Sequence, residues 1–186
     1  MEISKQLTQA VAVVRQGGVI GYPTESVYGL GCDPDNEKAV EKILSLKARP
    51  KEKGLILIAA SFSQLEKYLL PVDDEIKQRV FASWPGPYTW LWPVKDDVSE
   101  LVRGQHQTLA VRVSAHTVVK QLCETLGTAI ISTSANPADQ PPARSADEVR
   151  GYFDDKLDFI IDAETGDSAQ PTEIRDALTN QVIRPA

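Results

Sequence analysis

The sequence predicts an α/β fold in which helices flank a twisted mixed sheet. Three observations carry that expectation. Helical and strand signals are interspersed along the whole chain. The apolar run Leu55-Ile56-Leu57-Ile58-Ala59-Ala60 is bounded by turn signals, as expected of a strand covered on both faces. The strand signals from Tyr88 onward are not separated by regular crossover helices, which argues for a mixed sheet over a doubly wound parallel one.

Each element follows from local chemistry. Ser4 is placed to cap a first helix whose Leu7, Ala10, Val11 and Val14 share one face, with Gly17-Gly18 as its stop. Residues 19–22 form a short apolar strand, and Pro23 is expected to end its pairing and open a loop through Thr24-Glu25-Ser26. Val40, Ile43, Leu44 and Lys47 recur at helical spacing over 37–48, and Pro50 stops that helix. After the 55–60 strand, 62–69 and 74–82 are predicted helical, the second ending before Trp84-Pro85-Gly86-Pro87. Strands are predicted over 88–92 and 109–113, a helix over 116–126 closed by Gly127, and a strand over 129–132. Ser145-Ala146-Asp147-Glu148 matches a capping box that opens a short helix. Residues 159–162, 173–175 and 182–184 supply the last short strands.

At 186 residues the chain fits one domain over 1–186, with enough length to bury most of its apolar surface in one core. No apolar run approaches the ~20 residues needed to cross a bilayer. Met1-Glu2-Ile3-Ser4-Lys5 lacks the basic and apolar regions of a secretory signal, so cytoplasmic residence is the expectation. Cys32 and Cys123 have no Cys-x-x-Cys partner and read as buried free thiols, not as zinc ligands or a disulfide. The net charge of −6 argues against strong non-specific binding to nucleic acid. It does not exclude a local basic cleft, and Lys47, Arg49, Lys51 and Lys53 crowd together, opposed only by Glu52. As a bland alternative, these cations decorate a solvated helix end and complement its dipole.

Two polar clusters carry the chemistry. Lys47-Ala48-Arg49 can neutralise phosphate, while Ser132-Thr133-Ser134-Ala135-Asn136 offers small hydrogen-bonding groups without bulk. Nucleotide-loop signatures are missing: Gly29-Leu30-Gly31 lacks the third glycine of a dinucleotide fingerprint, and no Gly-x-x-x-x-Gly-Lys-Ser/Thr run exists. His106 and His116 are the only histidines, and both read as surface or helix-end residues, not as metal or triad members. Plain readings stand beside the functional ones. Arg112 suits an outward strand position, Thr24 and Ser26 a hydroxyl-stabilised turn, Ser134 and Asn136 a cap, and Arg184 a terminal position. Trp84, Trp90 and Trp92 read as core anchors.

Several motifs nevertheless occur together and in order. They are the run from Tyr22 to Gly31, Lys47-Ala48-Arg49-Pro50, Trp84-Pro85-Gly86-Pro87, Leu109-Ala110-Val111-Arg112-Val113, Ser134-Ala135-Asn136 and Ile183-Arg184-Pro185. In that combination the chain resembles the YrdC-like family over essentially its whole length, and within it the short members that make threonylcarbamoyl-AMP. The resemblance implies a mixed sheet around a large concave cleft, and a nucleotidyltransferase joining L-threonine, bicarbonate or CO2, and ATP with release of pyrophosphate. It implies use of the product for N6-threonylcarbamoyladenosine at position 37 of tRNAs reading ANN codons, with separate proteins making the final transfer. Direct contact with tRNA is left open.

Carried over by motif, Lys47 and Arg49 face the triphosphate as the catalytic cations, with Lys53 beside them. Ser134 and Asn136 hold phosphate or ribose oxygens, and Thr108 and Arg184 make further ATP contacts. Arg112 clamps the threonine carboxylate, and Thr24, Ser26, the backbone at Ser132, and Thr172 line the amino-acid pocket. Magnesium is expected to arrive on ATP, with no metal site in the protein. Two departures affect the pocket: Lys53-Gly54 and Ile58 stand where longer relatives carry Asn-Pro and a histidine, and Thr172 replaces a serine. Two other readings remain, an RNA-binding or ribosome-maturation module using the basic cleft, and a carbamoyl-adenylate-forming domain.

Overall fold

The computed structural model describes residues 2–168 and 172–186. Within them nine strands form one mixed sheet, in the order β7-β1-β2-β6-β3-β5-β4-β8-β9. The strands are β1 (Ile20–Pro23), β2 (Tyr28–Gly31), β3 (Ile56–Ala59), β4 (Tyr88–Pro93), β5 (Thr108–Val113), β6 (Ile130–Ser134), β7 (Phe159–Ile160), β8 (Glu173–Asp176) and β9 (Val182–Arg184). Three neighbouring pairs are parallel (β1 with β7, β3 with β5, β4 with β8) and the others antiparallel. This is the mixed sheet expected. The helices are α1 (Ile3–Arg15), α2 (Glu37–Leu46), α3 (Asp74–Phe81), α4 (Glu100–Arg103), α5 (Thr117–Leu126) and α6 (Ala146–Phe153).

Two apolar layers sandwich the sheet. On one face, α1 and α5 bring Leu7, Val11, Val14, Val118 and Leu122 onto Ile20, Ile58 and Ile130. On the other, α2 and α6 bury Val40, Ile43, Val149 and Phe153 with Leu57, Trp92 and Val111. At ~1.5–3 kcal/mol per fully buried aliphatic side chain, these layers dominate the forces holding the sheet. Trp90 and Trp92 are buried as expected, whereas Trp84 is only half-buried and stacks against Phe81. His106 is exposed and His116 stands at the N-terminal end of α5, without a side-chain capping bond, so both histidines lie at the surface or helix-end positions expected.

Several local expectations are corrected. Pro23 does not end the pairing but stands opposite Tyr28 in the β1–β2 hairpin. Its missing N–H costs nothing there, because Thr24 N–H and hydroxyl both donate to the Val27 carbonyl, at 3.1 and 2.7 Å, and close the turn. The partner strand β2 was not anticipated. The first helix starts before Ser4, with Glu2 at its N-cap. Residues 62–69 form two 3₁₀ turns (Phe62–Gln64 and Glu66–Tyr68), and the short α4 is an addition. The capping box holds in modified form: the Ser145 hydroxyl accepts from the Glu148 N–H at 3.2 Å, while the Glu148 carboxylate accepts from Arg144 N–H at 2.6 Å.

Candidate functional site

The face covered by α1 and α5 is not covered everywhere. Beyond them lies a cavity of about 210 Å3, lined by Thr24, Ser26, Arg49, Arg112, Ser132, Ser134, Thr172 and Arg184, with Ile56 and Pro142 among its apolar wall. The sheet register explains the gathering. β3 is the spacer between β5 and β6, setting Ile56 opposite both Ala110 and Ser132, while the β1–β2 hairpin lays its tip beside β6. Ile56 therefore lines the cavity, whereas Ile58, two positions along the same strand, is fully buried against α5. Ile58, the position where the resemblance implied a missing histidine contact, thus turns into the core and does not line the cleft.

Arg112 is the deepest cation, only 4% exposed. Its Nη1 donates to the Thr172 hydroxyl at 2.8 Å, and its Nη2 lies 3.5 Å from Glu25 Oε2. Among the described residues its Nε has no partner, so the guanidinium is held but not saturated. The plain reading of an outward strand arginine is therefore incorrect. Thr172, just before β8, reaches Arg112 across the intervening β4, whose buried Thr89 hydroxyl lies 3.4 Å from that of Thr172. Arg184 on the edge strand β9 is exposed at the rim, and its Nη2 donates to the Thr172 carbonyl at 2.7 Å. Burial, then the charge of Arg112, holds the Arg184 guanidinium below its usual range.

The other cations come from the end of α2. Lys47 occupies the C-cap, and Ala48 then adopts φ 47°, a left-handed conformation that L-residues avoid at a cost of ~1–2 kcal/mol. That reversal sends Lys47 and Arg49 in different directions. Arg49 reaches the cleft wall, with Nε donating to the Gly54 carbonyl at 3.1 Å. Lys47 is buried, and its ammonium donates to the Ser134 carbonyl at 2.5 Å, the Asn136 carbonyl at 2.8 Å and Asn136 Oδ1 at 3.1 Å. These acceptors use all three ammonium protons. Burial, with the neighbouring charge of Arg49, lowers the Lys47 pKa to about 8. Burial likewise pushes Arg49 down. The Ser134 hydroxyl donates to Asn136 Oδ1 at 2.6 Å and Asn136 Nδ2 to the Gln140 carbonyl at 2.7 Å, completing a polar knot behind the cleft.

Of the predicted site residues, Thr24, Ser26, Arg49, Arg112, Ser132, Ser134, Thr172 and Arg184 meet on one cavity wall. Lys47 and Asn136 join through Ser134 from behind it. Lys53 is exposed on the 3₁₀ turn Lys51–Lys53, and Thr108 stands opposite Pro93 at the start of β5; neither lines the cavity. Sequence reasoning assigned nothing to Glu25, Thr89 or Ser114. A carboxylate inside a run of small loop residues was the one available signal. Among the described residues no group of three or more His, Cys, Asp or Glu side chains could hold a metal ion, and no helix is long and apolar enough to cross a membrane.

Fold and site together define an α/β protein whose uncovered sheet face gathers arginines and hydroxyls around one cavity. The chain belongs to the Sua5/YciO/YrdC family, whose model, described as "Telomere recombination", matches residues 12–186. It is 52% identical over 175 residues to a threonylcarbamoyl-AMP synthase of Nitrosococcus oceani, covering 94% of this chain and 95% of that protein. A threonylcarbamoyl-AMP synthase of Photobacterium profundum is 50% identical over 180 residues, covering 96% and 97% respectively. Among solved structures, P. abyssi Sua5 complexed with L-threonine superposes with a TM-score of 0.91 at 33% identity, covering 100% of this chain, which spans 55% of that one.

Proposed function

We propose that the protein is an ATP-dependent threonylcarbamoyl-AMP synthase. It converts L-threonine, bicarbonate or CO2, and ATP into L-threonylcarbamoyl-AMP and pyrophosphate. The observation that carries the reading is the unsaturated Arg112 guanidinium in a hydroxyl-lined cavity that Arg49 and Arg184 also line. Relatives of about half identity bear that activity in their names, and a solved relative holds L-threonine.

In this reading the threonine carboxylate pairs with Arg112 through two parallel N–H···O bonds, a geometry that lysine cannot supply. Thr24, Ser26 and Thr172 surround the substrate hydroxyl and methyl. The neutral amine attacks the carbon of CO2 and its proton passes to solvent, giving a carbamate. A carbamate oxygen then forms a bond to the α-phosphorus as the bond to the β-phosphate bridging oxygen breaks, and pyrophosphate leaves. No acid–base residue is required at that step. The work is alignment, exclusion of water from a labile carbamate, and neutralisation of the phosphates by Arg49 and Arg184. Lys47, with its protons committed to the Ser134–Asn136 loop, fixes the hydroxyl and amide that meet the nucleotide and adds its charge to the same end of the cleft. We place magnesium with the ATP phosphates, whose oxygens suit this hard cation; no step above runs through it.

The product serves tRNA N6-threonylcarbamoyladenosine synthesis in the cytoplasm, with separate proteins performing the transfer. The test is pyrophosphate release with ATP, bicarbonate and each amino acid in turn. Release that needs both threonine and bicarbonate supports the reading, and release indifferent to either one rejects it.

A further inference from the structure

Glu25 has the geometry of a working residue without touching the cavity. Its carboxylate is buried between two structures that must stay in register, the β1–β2 hairpin and the corner joining β5 to α5. Oε1 accepts from the Ser114 hydroxyl at 2.6 Å and from the Ala115 N–H at 3.3 Å. The Ser114 hydroxyl oxygen in turn accepts from the His116 N–H at 3.1 Å, at the N-cap of α5. Oε2 has no hydrogen-bond partner among the described residues and lies 3.5 Å from Arg112 Nη2. The backbone under Glu25 is also pinned. Gly166 N–H donates to the Thr24 carbonyl at 2.9 Å and Ser168 N–H to the Glu25 carbonyl at 3.1 Å. Gly166 must be glycine for that approach, since a Cβ would stand 2.7 Å from the Glu25 carbonyl oxygen.

We propose that Glu25 is a positioning residue for threonine binding: anchored at the β5–α5 corner, it holds the Arg112 guanidinium against Thr172, in place for the substrate carboxylate. The inference rests on the proposed function and names how that site is kept ready. A buried guanidinium facing no anion would turn toward solvent or pair elsewhere. The long 3.5 Å contact is strong enough to orient Arg112 yet leaves it short of saturation. The carboxylate sits behind Arg112 and off the cavity wall, so it does not compete for the ligand's place.

The test uses Glu25→Gln and Glu25→Asp in the full chain. In the glutamine variant the amide oxygen keeps the Ser114 and Ala115 contacts, but an N–H2 donor then faces the Arg112 donors and turns the guanidinium away. KM for threonine rises about tenfold or more, while KM for ATP and kcat stay within about twofold. Glu25→Asp, which restores the charge, recovers part of the loss. In an Arg112→Lys background, Glu25→Gln raises KM for threonine by less than about threefold, because the group it positions is gone. The proposal is overturned if a folded Glu25→Gln variant keeps its KM for threonine. It is equally overturned if KM for ATP moves in step, or if the effect persists undiminished in Arg112→Lys. Should wild type show no threonine dependence, the functional reading fails separately. The Arg112 Nε–Hε NMR signal, recorded without substrate, then decides the positioning: a shift or broadening in either variant supports it, and an unchanged signal overturns it.

Discussion

Replacing Arg112 by lysine isolates the contact on which substrate recognition turns. Alanine is the poorer choice, because it strands the Glu25 carboxylate 3.5 Å away in a buried setting. Breaking a buried pair in that way costs about 3–5 kcal/mol, a large share of the roughly 5–15 kcal/mol that holds a domain folded. Lysine keeps a cation for Glu25 but offers a point charge where arginine offers a planar fork. The bidentate pair then loses one charge-assisted hydrogen bond, about 1.5–3 kcal/mol. At about 1.4 kcal/mol per decade, KM for threonine rises roughly 10- to 150-fold. The carboxylate is not itself a reacting group, so its contact stabilises ground and transition states alike and kcat changes little. The assay is pyrophosphate release against threonine at saturating ATP and bicarbonate, with an ATP titration and a melting curve as controls. An unchanged KM for threonine in a folded Arg112→Lys variant, or an equal rise in KM for ATP, refutes the assignment.

Other consequences are equally specific. Lys47 titrates near pH 8 because burial lowers it from 10.5, so the loop clamp carries its charge below that pH and loses it above. kcat/KM for ATP should fall about tenfold per pH unit above pH about 8, and a flat profile to pH 9.5 would contradict this. For stability the sign is opposite: the cost of burying the charge is present below pH about 8 and fades as pH rises toward 10.5, where the unfolded chain also deprotonates. Ala48→Gly relieves the left-handed φ of 47° and should stabilise the chain by about 1 kcal/mol, raising Tm by about 2–4 °C. Gly54→Ala should lower Tm by at least as much, since its φ is 62° and a Cβ would lie 2.8 Å from the Arg103 carbonyl oxygen. Cys32 and Cys123 are free and buried, with burial pushing the Cys123 thiol up to about 12. Changing both to alanine should leave kcat within about twofold in protein that still folds. Loss of turnover with intact circular dichroism would reveal a thiol role.

Long apolar periodicity was legible wherever tertiary contact merely reinforced it. The α2 and α5 stripes, the β3 run and the Gly127 cap fall where the residues placed them. β2 was hidden because two glycines in Tyr28-Gly29-Leu30-Gly31 depress strand propensity. Gly31 is required there by space, since a Cβ would stand 2.6 Å from the Tyr22 ring and 2.7 Å from the Ile131 carbonyl oxygen. In 62–69 the apolar spacing suggested an α-helix, but Phe62 is drawn into the aromatic cluster with Phe81 and Trp92, and the backbone tightens into 3₁₀ turns. Within the site, hydroxyls and arginines announced themselves through motifs. Glu25 did not, because its meaning lies in partners far away in sequence, at Arg112 and Ser114. Lys47 was read as a phosphate cation from its neighbours, whereas its saturation by Ser134 and Asn136 depends on how β6 ends.

A structure of the protein with L-threonine and a non-hydrolysable ATP analogue addresses the whole account at once. The threonine carboxylate is predicted within hydrogen-bonding distance of the Arg112 guanidinium, with the phosphates between Arg49 and Arg184 and the amine facing the α-phosphorus. Threonine seated away from Arg112, or phosphates bound outside the cavity that Arg112 and Arg49 share, would contradict it.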